Sequence, residues 1–176
     1  MICAGAEHLE LVSRSVREGG LDFRRLLGSA PEALRGAVVS LTTLEANCAP
    51  GEVSLTVVGR PPAQTIVPWE DASIAGHRAT AVLPPPALTR LDGRLARLWP
   101  PGPLALASAA SRFLSAAARR QPHTLCAFVV ASPDGSDRHR IGMLPVTMKQ
   151  GAVNVVAPNL SVRDRVRLDV ALDDAD

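Results

Sequence analysis

A carboxylate and a guanidinium stand three residues apart at Glu32 and Arg35, inside the stretch 28–62, GSAPEALRGAVVSLTTLEANCAPGEVSLTVVGRPP. On a helix that spacing puts both side chains on one face. A fixed acid beside a fixed cation is the shape of a site for a charged small molecule, and it is equally the shape of a solvated surface pair, the commoner outcome at this spacing. The flanking pattern says what must position the two groups. An Ala/Leu-rich helical run carries them, Ala49-Pro50-Gly51 turns the chain, and an alternating β-type run over 53–58 delivers the loop Gly59-Arg60-Pro61-Pro62 towards them.

Composition narrows the function classes. At 176 residues and 47% hydrophobic content the chain suits one domain burying roughly 70% of its unfolded surface. The net charge is +2, and Lys149 is the only lysine among many arginines, so no strong field for a polyanion is implied. Aromatics make up 3% with no tyrosine, which removes the stacking platforms of a single-strand nucleic-acid binder. The arginines between 112 and 167 are interleaved with Asp137, Asp164 and Asp169 and read as solvated faces. Nucleic acid is not expected as a partner.

Cys3, Cys48 and Cys126 are odd in number, far apart and set in apolar runs, so buried free thiols are expected rather than a disulfide framework or a zinc site. The opening MICAGAEHLELV has neither the basic n-region nor the long apolar h-region of a signal peptide, and no apolar run approaches roughly 18 residues. The expectation is a cytoplasmic protein with no membrane partner.

In chain order, a short apolar run leads to a helix over 6–18 with Leu9, Val12 and Val16 on one face, stopped by Gly19-Gly20. The triple proline at Pro84, Pro85 and Pro86 is expected to block helix or central strand, with an amphipathic helix resuming over 87–98. The clearest helix spans 104–120, with Leu106, Ala110, Phe113 and Leu114 as its stripe. Strands follow at 124–131, 141–148 and 152–157, joined by turns at 132–136 and at Gln150-Gly151. Ser161 caps a final helix over 162–172, with Asp164 in the third position of a capping box. The expected class is α+β, helices packed on an antiparallel sheet.

The succession GSAPEALR, LTVVGRPP, IVPWEDASIAG, GPLALASAASRFLSAAAR and LPVTMKQGAVNVVAPNLSVRDRVRLDVAL resembles the C-terminal, substrate-binding half of the lactate/malate dehydrogenase family, over residues 25–171. The resemblance implies hydride exchange between a 2-hydroxy acid and NAD. An Arg forks onto the substrate carboxylate, a His carries the hydroxyl proton, and an Asp fixes that His. In the family's Leu-Asp-x-x-Arg motif the positions fall on Pro31, Glu32 and Arg35, so the substrate-binding Arg is kept and the carboxylate is one methylene longer. In its Gly-x-His-Gly loop they fall on Gly59, Arg60, Pro61 and Pro62, so Pro61 replaces the catalytic His. His77 is the only histidine in the neighbouring segment, and an exposed loop histidine needs no function.

No G-x-G-x-x-G follows a strand anywhere in the chain. The resemblance therefore implies residues 1–20 as a remnant of the last strand and helix of a nucleotide-binding domain, and 21–176 as the C-terminal domain. It also implies a small 2-hydroxy or 2-keto acid as ligand, no cofactor bound by this chain alone, and homo-oligomerisation or a missing nucleotide-binding half to cover exposed apolar surface. Two functions follow: a dehydrogenase-type oxidoreductase domain inactive in isolation, or a non-catalytic binding or assembly domain that keeps Arg35 as a carboxylate anchor.

Overall fold

The computed structural model describes residues 1–17, 26–119, 121–131, 140–149 and 152–173. Its spine is a long antiparallel pair, β8 (His123–Ala131) on β9 (Arg140–Lys149), joined residue by residue from His123 opposite Met148 to Ala131 opposite Arg140. On the outer side of β8 lie β2 (Leu27–Gly28) and then β1 (Ile2–Cys3), with β1 parallel to β2. The far side of β9 is shared. β4 (Val58–Arg60) meets it at Met143, and β10 (Ala152–Val155) pairs with residues 146–149; β5 (Gln64–Ile66) extends β4 as a hairpin. A second, three-stranded sheet orders β3 (Val53–Ser54), β6 (Ser73–Ile74) and β7 (His77–Arg78).

Alternation along the central strands sends side chains to two cores. Cys126, Phe128 and Met143 meet Leu34 and Val38 of α2 (Ala30–Ala46) on one face. Leu125, Ala127, Val129, Leu144 and Val146 meet Phe113 and Ala116 of α5 (Pro103–Ala118) and Leu168 and Leu172 of α6 (Val162–Asp173) on the other. α1 (His8–Arg17) closes a smaller cluster through Val12 with Cys3, Leu26, Val130 and Ile141. Gly28 lets β2 pack closely on β8, since a Cβ there would lie 3.0 Å from the Phe128 ring, a tight contact. The α+β class expected from the sequence is the one observed.

Several local expectations need correction. The run 53–58 is not one strand, because Val57 and Val58 are both fully buried, ending the alternation as the chain passes from the small sheet to the large one. The triple proline does not block a helix. Pro84 is the N-cap of α4 (Pro85–Asp92), and Pro85 and Pro86 occupy its first turn, where backbone N–H groups have no intrahelical partner to lose. α4 stops before Gly93, and a 3₁₀ turn, Leu95–Leu98, replaces the rest of the expected 87–98 helix. In α5 the buried stripe is Ala109, Phe113 and Ala116, while Leu114 is 63% exposed. α1 is shorter than 6–18, and Gly19-Gly20, the turns at 132–136 and Gln150-Gly151, and the side chain of Val16 lie outside the described residues. The Ser161 cap is present: its Oγ accepts the Asp164 N–H at 3.1 Å, and Asp164 Oδ2 accepts the Ser161 hydroxyl instead of the backbone N–H of a full capping box.

Candidate functional site

Glu32 sits in the first turn of α2, directly after Pro31, where the helix N-terminus favours a negative charge. Its side chain is nevertheless fully buried, so its charge must be answered locally. Arg35, one turn on, answers with both arms of its fork: Nε donates to Oε2 at 2.9 Å and Nη2 to Oε1 at 2.6 Å. The backbone N–H of Cys126 on β8 donates to Oε2 at 3.0 Å, and Arg112 Nη1 of α5 approaches Oε1 at 3.1 Å. One carboxylate thus holds two helices and a central strand together.

The strand contact has a structural cause. Cys126 stands opposite Pro145 in the ladder, and its N–H points to the outer edge of β8, where β2 covers the strand only at Gly28–Phe128. A buried N–H needs an acceptor, and Glu32 supplies it from the helix above. The added methylene of Glu over Asp lets one side chain reach the strand while lying flat against Arg35.

Burial opposes the Arg35 charge, but the hydrogen bonds and charge of Glu32 outweigh it and hold the guanidinium pKa above its ordinary value. The Cys126 thiol is pushed up to about 12, chiefly by burial, with the Val57 N–H bond acting the other way and Glu32 adding to the rise. It is a neutral thiol that accepts the Val57 N–H at 3.5 Å, not a nucleophile. Cys3 is likewise buried and raised by burial, and Cys48 is half-buried and free.

The structure therefore brings Glu32 and Arg35 together, in the interior rather than as a solvated pair. Pro61 is half-buried in the 61–63 connection of the β4–β5 hairpin, with no side-chain donor or acceptor to add to the cluster. His77 is exposed on β7 in the small sheet. Arg112 and Cys126 were missed as partners of Glu32. For Arg112 a signal existed, because it is the only charged residue in α5 and sits between Ala109, Phe113 and Ala116 on the buried side. For the Cys126 N–H there was none, since a backbone donor carries no sequence mark.

Fit to a dinucleotide can be tested at β1–α1–β2, the one parallel crossover among the described residues. The loop after β1 has a single glycine, Gly5, and the start of α1 carries Glu7 and Glu10. A cleft of about 480 Å³ opens there, lined by Gly5, Ala6, Glu7, Trp99 and Pro100. A pyrophosphate needs converging N–H donors and positive potential, and the charged side chain lining this cleft is the Glu7 carboxylate. These residues do not fit NAD. Among the described residues no group of three or more His, Cys, Asp or Glu could hold a metal ion. No described helix is long and apolar enough to cross a membrane.

No protein-family model matches the sequence, and no curated protein matches it. Solved structures do. A malate dehydrogenase from Plasmodium falciparum superposes with a TM-score of 0.83 at 9% identity, covering 93% of this chain and 57% of that one. A malate dehydrogenase from Salinibacter ruber gives 0.81 at 15% identity, covering 94% and 57%. A lactate dehydrogenase from a Medee basin deep-sea metagenome library gives 0.80 at 14% identity, covering 93% and 57%. The chain has the fold of lactate and malate dehydrogenases, over little more than half the length of those enzymes, as the sequence resemblance implied.

Proposed function

We propose that this chain is a lactate/malate dehydrogenase-like oxidoreductase domain, the substrate-binding half of such an enzyme, and that alone it does not turn over a 2-hydroxy acid. In this reading residues 1–20 are the last strand and helix of a nucleotide-binding domain and 21–176 the C-terminal domain. The observation that carries the reading is the engagement of Arg35. The fork that would take a substrate carboxylate is already laid on Glu32, whose own carboxylate would have to orient a histidine and instead bonds Arg35, Arg112 and the Cys126 N–H.

At the proton-carrier position Pro61 has no titratable group. A positioned acid/base is worth about 10²- to 10⁴-fold in rate. The cleft beside α1 has no cationic side chain in its lining to hold a dinucleotide's phosphates. Cytoplasmic residence and either self-association or pairing with a nucleotide-binding half belong to the same reading, and the buried free thiols suit a reducing compartment. The test is NADH oxidation by the purified chain with pyruvate or oxaloacetate, where a rate at the buffer background is expected and robust turnover refutes the proposal. Reading the DNA upstream of Met1 for an in-frame G-x-G-x-x-G decides whether the cofactor half belongs to the same gene.

A second reading, a non-catalytic binding domain, is favoured by the charge of the cluster. One carboxylate with two guanidiniums leaves an excess positive charge, and the Arg112 side chain is 50% exposed. An acid could dock on that excess without chemistry.

A further inference from the structure

α6 is amphipathic in an unusual direction. Leu168, Ala171 and Leu172 are buried against the large sheet, with Leu172 close enough to β9 that a Cβ at Gly142 would strike it. On the outward side Val162 is 84% exposed, Val166 58% and Val170 53%. Spaced four residues apart, they fall within a strip about 80° wide running about 12 Å along the helix. Single exposed apolar residues need no explanation, but a continuous valine line on a helix does.

The charges beside the line indicate what covers it. The N-terminal half, 162–167, carries three arginines, Arg163, Arg165 and Arg167, against Asp164, a net +2. The C-terminal half, 168–173, carries Asp169 and Asp173 and no cation, a net −2. A helix charged this way is complementary to itself reversed. Arg167 is already paired with Asp164 at 3.2 Å and Asp173 with Arg140 at 2.7 Å, whereas among the described residues neither Arg165 nor Asp169 has an ion-pair partner. Both are exposed, and both lie on the same flank of the valine line, one turn apart.

We propose that the outward face of α6 is a self-association surface: a second copy of this chain lays its own α6 antiparallel on it, about a two-fold axis crossing the helix near Val166. The valines then pack on valines, and Arg165 of each copy meets Asp169 of the other, as an isologous contact requires. Twelve-residue helices bury less than the roughly 1,200 Å² of a standard interface, so the contact is weak and concentration-dependent, and salt weakens it through the Arg–Asp pairs. The valine line shares no residue with the Glu32 cluster and does not depend on what Arg35 binds.

The test is sedimentation of the full 176-residue chain from low micromolar to several hundred micromolar. The wild type is expected to dimerise with rising concentration. Val166→Asp, at an exposed position that leaves the circular dichroism and melting temperature unchanged, is expected to weaken dimerisation at least tenfold. Arg165→Asp and Asp169→Arg are each expected to weaken it, and the double charge swap to restore it. A wild type that stays monomeric throughout, a Val166→Asp variant that associates as the wild type does, or a swap that fails to restore association overturns the proposal.

Discussion

The first turn of α2 and the β4–β5 hairpin are the two regions that the dehydrogenase resemblance would have meet at one substrate, and they have become different kinds of structure. The α2 turn carries charged residues in close contact: Glu32 has a fully buried side chain and three partners, one of them, Arg35, bound twice. The hairpin keeps its glycine and its bend, with prolines at its tip. The contrast teaches that a charged pair can serve packing, because removing either member of a buried pair is more costly than keeping both.

The largest expected effect breaks the α2 side of this contrast. Glu32→Ala leaves Arg35 and the Cys126 N–H buried without their partner and is expected to cost about 3–5 kcal/mol, read from the urea midpoint. A loss under about 1 kcal/mol would mean that the cluster is not a structural support. On the hairpin side the backbone is what matters. Gly59 has φ +96°, and a Cβ there would lie 2.1 Å from the Gln64 carbonyl oxygen, so Gly59→Ala is expected to cost about 2–3 kcal/mol in the same measurement. The two variants together separate support by charge from support by conformation.

Arg112 sharpens the comparison from within the cluster. It touches the same carboxylate as Arg35 but is half exposed, so Arg112→Ala is expected to cost less than about 1 kcal/mol. Smaller still is the effect of Asp92, a partly buried carboxylate answered by a neutral donor, Trp69 Nε1 at 2.8 Å. Burial raises its pKa, with the Trp69 bond and the Arg167 and Arg163 charges opposing. The folded state therefore holds this proton more tightly than the unfolded chain does. Its contribution favours folding below the unfolded value of about 3.9 and is lost as pH rises through the folded one. Asp92→Asn keeps an acceptor for Trp69 and is expected to flatten that part of the stability–pH curve, by tenths of a kcal/mol.

How much of this was legible depended on whether the physics was local. The α+β class, the Ser161 cap, the strands of the long antiparallel pair and the Glu32–Arg35 spacing rest on periodicity and near-neighbour contacts, and each is found in the fold. The proline error came from treating Pro84, Pro85 and Pro86 as a barrier when the first turn of a helix accepts them. The break at Val57 and Val58 shows in the sequence only as two consecutive valines, which a single buried strand would also display. The burial of Glu32 was out of reach, because it depends on Cys126, 94 residues away, and on the missing cover at the outer edge of β8.

The central claim, that Glu32 has taken the fork Arg35 would offer to a substrate, is tested most directly by calorimetric titration of the wild-type chain and of Arg35→Ala with oxaloacetate, malate and lactate. The expected result is no Arg35-dependent heat with any of the three acids. Saturable binding by the wild type that disappears in Arg35→Ala would show the fork free to take a carboxylate and contradict the account.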